Sequence, residues 1–201
     1  MSLTLILILI TAAMSIYALQ NEAILPRWLL NPYQISRRNE YWRFLTSGFI
    51  HADWGHLIFN MISLYFFGML VEQIIGPVYF LALYLVGIVI SDLPTYFKHR
   101  NDPGYNSLGA SGGVSAIVFA GIVFFPLNPI YIFFIPIGIP GFLFGALYIL
   151  YSSYEARRGG GYVNHSAHLW GALFGVAFVL LLFPDVLPGF FEQIGSYRPF
   201  R

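Results

Sequence analysis

The sequence predicts an all-α membrane protein, a bundle of six transmembrane helices with a membrane-interfacial first loop. Three observations predict it. Of 201 residues, 58% are hydrophobic and only 9% are charged, and the mean hydropathy is positive. A soluble domain of this size could not hide that much apolar surface. Apolar stretches of roughly the ~20 residues that cross a hydrocarbon core recur six times. The breaks between them carry turn chemistry, at Gly76-Pro77, Asp102-Pro103-Gly104, Pro126, Asn128-Pro129 and Gly159-Gly160-Gly161. Residues 1–201 are read as one domain.

The first span covers residues 3–19. Met1-Ser2 offers no basic flank, and the stretch to Gln20 lacks an Ala-x-Ala-like cleavage site, so it reads as a retained span rather than a signal peptide. The connection from Gln20 to about Trp54 interleaves Trp28, Tyr33, Tyr41, Trp42 and Phe44 with Arg27, Arg37, Arg38 and Arg43. That mixture suits the headgroup layer, where ring bodies bury and polar tips stay wet. Spans two and three occupy residues 55–75 and 78–97, and span four residues 111–125. Span five, residues 130–151, contains Pro136 and Pro140, so a kink and mobility in its first half are expected. Span six occupies residues 167–183.

Composition also excludes functions. A net charge of +1, with no basic run longer than Arg37-Arg38, gives no nucleic-acid partner. The absence of cysteine removes disulfides, thiolate zinc sites and a cysteine nucleophile.

Parity then gathers the chemistry. Six spans make five connections, and spans two, four and six all start from the same side of the membrane. Span two opens with His51, His56 and Asn60, span four with Ser111 in Gly109-Ala-Ser-Gly-Gly113, and span six with His165 and His168. Taken singly, each has a plainer reading. A helical serine bonds a carbonyl one turn back, a membrane histidine or asparagine joins helices, and Gly171-x3-Gly175 is a packing motif. Polar groups are expensive in lipid, however, and these converge at one depth on one face, which points to a functional cavity.

The same residues resemble the rhomboid family of intramembrane serine proteases. Glu40-Tyr-Trp-Arg43 is similar to its first-loop motif, and His51-x4-His56-x3-Asn60 to its second-span signature. Gly68-x3-Glu72-x3-Gly76 is similar to its packing motif and Gly109-Ala-Ser-Gly112 to its nucleophile motif. Ala167-His168-x2-Gly171-x3-Gly175 is similar to its base motif. The resemblance implies Ser111 as nucleophile and His168 as general base. It implies an oxyanion hole from His56, Asn60 and Ser111, with Gly109, Gly112, Gly171, Gly175 and His51 in support. It also implies single-span membrane proteins as substrates, in the lipid bilayer, with no cofactor and no metal. Physics is compatible: Ser111 opens its helix, so first-turn N–H groups and the positive dipole end are available to an oxyanion. His56 and Asn60 lie one turn apart on one face.

One position departs from the pattern. Many relatives carry an aromatic four residues after the nucleophile, stacked on the histidine; here Ser115 stands there. Phe119 or Trp170 is then the candidate ring support, and Asp92 a minor candidate for orienting His168. Three alternatives remain: an inactive rhomboid-like chaperone or escort, a small transporter, and metal-dependent proteolysis through His51, His56 and His168. The resemblance implies an extracytoplasmic active face. The positive-inside rule votes the other way, since Arg27, Arg37, Arg38, Arg43, Lys98, Arg100, Arg157 and Arg158 all lie on the active face.

Overall fold

The computed structural model describes residues 2–21, 23–131, 137–159, 161 and 163–198. Helix α1 (Leu3–Leu19) is capped twice over. The Ser2 side chain accepts from Leu5 N–H, and the Glu72 carboxylate accepts from Leu3 N, Thr4 N and Thr4 Oγ1 at 2.7–2.8 Å. Gly68 lies one turn before Glu72, where a Cβ would press on Thr4. The Gly68/Glu72 motif therefore seats the start of α1, satisfying N-terminal donors that lipid could not.

The first connection folds into three short helices, α2 (Leu25–Trp28), α3 (Pro32–Arg38) and α4 (Arg43–Thr46), with a 3-10 turn at Ser47–Phe49. Arg43 organises it: its guanidinium pairs with Glu40 and donates to the carbonyls of Pro26 and Leu29. Leu30, Ile35 and Phe44 pack on Val89, Leu93 and Tyr96 of the following helix, while Tyr41 and Trp42 stay exposed.

Helix α5 (Trp54–His99) reverses at Gly76, where φ is 78° and ψ 163°. It is two helices in space, residues 54–75 and 77–99. Glycine supplies the positive φ, and Pro77 starts the second helix in its first turn, where a missing N–H is harmless. Helix α6 (Ser111–Phe124) follows and is the most thoroughly buried element, enclosed by both halves of α5 and by α8 (His165–Leu182).

Two expectations fail here. Span five does not begin at residue 130. Residues Pro129–Tyr131 (β1) and Gly138–Pro140 (β2) pair antiparallel, so the chain is not wholly α, and helix α7 runs only over Gly141–Arg158. Pro140 is the N-cap of α7 rather than a kink inside it, and Pro136 lies outside the described residues. A proline lacks the donor that a helix interior needs, and here Pro140 sits where none is required. The second difference is an additional helix, α9 (Val186–Ser196), beyond span six. None of its residues is buried, and Gln193 reaches the carbonyl of Phe124.

Among the described residues, two helices are long and apolar enough to cross a membrane by length and composition, Trp54–His99 and His165–Leu182. Leu3–Leu19 and Ser111–Phe124 are apolar but shorter.

Candidate active site

Ser111 is the first residue of α6, preceded by Ala110 without a side-chain cap. The first amide donor used inside the helix is that of Val114, to Ala110 O. The amides of the first turn accordingly point out of the helix start, toward the space in front of Ser111.

His168 sits on the first turn of α8, whose N-cap Asn164 accepts from Ala167 N–H. Asn164 is itself held by Thr95 and Ser107, so α8 starts at a fixed height against α5 and the α5–α6 loop. The Nε2 of His168 lies 2.8 Å from Ser111 Oγ. Glycine sets that approach. A Cβ at Gly171 would collide with the carbonyl of Gly112, and one at Gly175 with that of Ala116, so α6 and α8 meet backbone to backbone. On the other flank of α6, a Cβ at Gly112 would overlap the Ser91 side chain and one at Gly113 would meet Ile88 and Tyr84.

His56 and Asn60 come from the first half of α5. The His56 ring lies against Gly109, whose φ of 123° and lack of a side chain make room for it. The Nδ2 of Asn60 donates to the His56 carbonyl at 2.9 Å, which leaves its second N–H toward the cavity. Ser111, His168, His56 and Asn60 all line one cavity of about 1280 Å³. It continues along α6 past Ser115 and Phe119 to Phe125 and the β1 strand, separating the first half of α5 from α7.

His51 is not on that cavity. It is fully buried behind it, with Nδ1 2.9 Å from Ser15 Oγ and Nε2 accepting from Ala110 N–H at 3.3 Å. Ser15 Oγ also donates to Phe49 O, so its single proton is used and His51 Nδ1 must be the donor. Both ring nitrogens are engaged, which removes His51 from the metal-ligand set considered from the sequence. Burial, reinforced by the neighbouring His56, holds this imidazole down to about 3.

Neither expected ring reaches His168. Phe119 packs on Tyr148 instead, and Trp170 is exposed. The ring beside His168 is Tyr148 of α7, 6.2 Å away at an interplanar angle of 20°. Its hydroxyl bonds Ser115 at 2.8 Å. A sequence signal existed: Tyr148 and Tyr151 are three apart on α7, as His165 and His168 are on α8, and Tyr151 meets His165 edge-on at 5.4 Å. Asp92 is buried and lines the cavity, yet no hydrogen bond joins it to His168 among the described residues. Of the glycine triplet before α8, Gly159 and Gly161 have positive φ, and Gly160 lies outside the described residues.

Such a site can ionise a hydroxyl, shuttle a proton and meet developing negative charge with N–H donors. Comparison with known proteins identifies relatives of this chain. RHOMBOID-like protein 12, mitochondrial, of Arabidopsis thaliana is 33% identical over 166 residues, covering 73% of this chain and 49% of that protein. The "Putative rhomboid protease YdcA" of Bacillus subtilis is 32% identical over 95 residues, 47% of each chain. Presenilin-associated rhomboid-like protein, mitochondrial, of Homo sapiens is 33% identical over 141 residues, covering 67% of this chain and 36% of that protein. The chain thus spans half the length of these relatives or less. The family model described as Rhomboid domain matches residues 38–185, most of the sequence and every element that lines the cavity, and on that match the chain belongs to the rhomboid family.

Proposed function

We propose that this protein is an intramembrane serine endopeptidase that cuts transmembrane segments of membrane proteins with a Ser111–His168 dyad. The observation that carries the reading is the 2.8 Å contact of Ser111 Oγ with His168 Nε2 inside a cavity that also holds His56 and Asn60. Rhomboids are membrane-integral, and the apolar helices of this chain fit that setting. Helix α1, the halves 54–75 and 77–99 of α5, α6, α7 and α8 would supply the six spans. The first connection, with Tyr41 and Trp42 exposed, would lie at the interface.

In this mechanism Ser111 Oγ attacks the scissile carbonyl carbon while His168 Nε2 takes its proton. The tetrahedral oxyanion receives hydrogen bonds from His56, Asn60 and the Ser111 amide, at the positive end of α6. His168 then protonates the leaving amine as the C–N bond breaks. Water attacks the acyl-Ser111 ester, giving its proton to His168. That proton returns to Ser111 Oγ as the carboxylic acid product leaves. The substrate helix would enter between the first half of α5 and α7, where the cavity is lined by Phe59, Phe66 and Phe144.

The deciding experiment is cleavage of a generic single-span substrate in detergent or proteoliposomes. Ser111→Ala and His168→Ala are each expected to abolish it with the fold intact. His56→Ala and Asn60→Ala should lose about 10²–10³-fold in kcat, the usual effect of one missing oxyanion donor. Undiminished cleavage by Ser111→Ala would refute the reading.

A further inference from the structure

We infer that Tyr148 of α7, tethered by Ser115, is the positioning residue for the imidazole of His168; the inference rests on the dyad reading above. Imidazole orientation matters because a hydrogen bond weakens steeply as its angle closes, and a displacement of about 1 Å can lower a rate about 10²-fold. In many hydrolytic sites a hydrogen bond to Nδ1 fixes the ring. Here no protein group among the described residues bonds His168 Nδ1, and Asp92 does not reach it. The ring is left to its packing, and the rings that meet it among the described residues are His165 edge-on at 5.7 Å and Tyr148 nearly parallel at 6.2 Å.

Tyr148 is suited to the task because it is fixed at both ends. Its ring rests on Phe119 at 5.4 Å and Phe144 at 5.8 Å, and its hydroxyl bonds Ser115 Oγ at 2.8 Å. Ser115 stands one turn below Ser111 on the same face of α6. The contacts therefore close a circuit: Ser111 to His168, His168 to Tyr148, Tyr148 to Ser115, and Ser115 back along one helical turn to Ser111. The helix that presents the nucleophile also anchors the ring that aligns the base. Because the ring arrives on α7, across the cavity from α5, displacement of α7 would withdraw it.

The test is the rate at which a small soluble fluorophosphonate labels Ser111, with fluoride as the leaving group, together with kcat and KM for a transmembrane substrate. Tyr148→Leu is expected to label at least about tenfold more slowly and to lose kcat by a similar factor, with KM within about threefold. The double variant Tyr148→Ser with Ser115→Tyr, which returns a ring from α6, should recover most of what Tyr148→Ser loses; a purely structural role of Tyr148 would show no such recovery. Labelling of Tyr148→Leu within twofold of wild type would overturn the inference. Should Tyr148→Leu not fold, Tyr148→Phe and Ser115→Ala decide the matter, since both remove the same hydrogen bond. Each should slow labelling by about threefold and the pair no more than either alone, whereas a multiplicative loss of about ninefold would overturn the tether. Wild-type protein that is not labelled at all would instead refute the protease reading itself.

Discussion

Both nitrogens of the His51 ring are committed, and that fixes its charge. Nε2 can accept from Ala110 N–H only while the ring is neutral. Burial holds the imidazole at about 3 in the fold, against about 6.5 in the unfolded chain. Between those values the unfolded state binds a proton that the native state refuses, so stability falls as pH drops from about 6.5 toward 3. The slope from this one group approaches about 1.4 kcal/mol per pH unit. Thermal unfolding in detergent is expected to show a midpoint that declines from pH 7 to pH 4.5. His51→Gln should show a lower midpoint at pH 7 and a shallower decline, and equal slopes would remove His51 from the account. The consequence reaches the site because Ala110 is the residue before Ser111: the chain from Ser15 through His51 to Ala110 is how α1 helps to hold the start of α6.

Gly171 and Gly175 of α8 and Gly76 of α5 act through different physics, and substitution separates them. An alanine at Gly171 or Gly175 would meet a backbone carbonyl of α6, which has no rotamer to change. Helix α8 must then shift outward and carry His168 with it. Gly175→Ala is expected to cost about 1–3 kcal/mol and to lower fluorophosphonate labelling by at least about tenfold. At Gly76 nothing lies within 4 Å of an added Cβ, so Gly76→Ala meets only the strain of a backbone region that essentially glycine alone occupies, about 1–3 kcal/mol, with labelling of the folded fraction unchanged. Comparable labelling losses in the two variants would contradict this division. The same elements show what a sequence can disclose. Helix α1 and the start of α6 at Ser111 were legible because caps and glycines punctuate apolar runs there. The β1–β2 hairpin was not, since a continuous apolar run does not distinguish strand from helix, although Pro129, Gly138 and Pro140 marked the interruption. Among the site residues, His56, Asn60, Ser111 and His168 could be grouped by parity of the spans. Tyr148 could not be grouped by parity, because α7 approaches the site from the side; its three-residue spacing to Tyr151, matching that of His165 and His168, was the one signal of the contact.

The orientation of the whole molecule turns on which arginines are loose flanks. Eight of the ten basic residues lie on the Ser111 side, which taken alone would place that side in the cytoplasm. Arg43, however, is buried and paired with Glu40, so it belongs to the folded first connection rather than to a flexible flank. Discounting Arg43 leaves seven basic residues against two, so the orientation that the rhomboid resemblance implies, with the active face outside the cytoplasm, is proposed against the charge count. In the cysteine-free background, Asn101→Cys in the exposed α5–α6 loop should react with a membrane-impermeant thiol reagent on intact cells, and Ser196→Cys after α8 should not. The reverse pattern would favour the arginine count. The reversal at Gly76 bears on how such an orientation is reached during synthesis. Residues 73–78 contain no charged side chain, and the two helices they join are linked by a single non-helical residue. Passing one lysine or arginine through the bilayer centre costs about 2.5–3.5 kcal/mol, and this turn demands none of it. The joined ends of the two halves can thus cross lipid without carrying a basic side chain, whereas their free ends are flanked by Arg43, Lys98 and Arg100. The hairpin therefore sides with the arginine count, and the thiol labelling decides between that count and the proposed orientation.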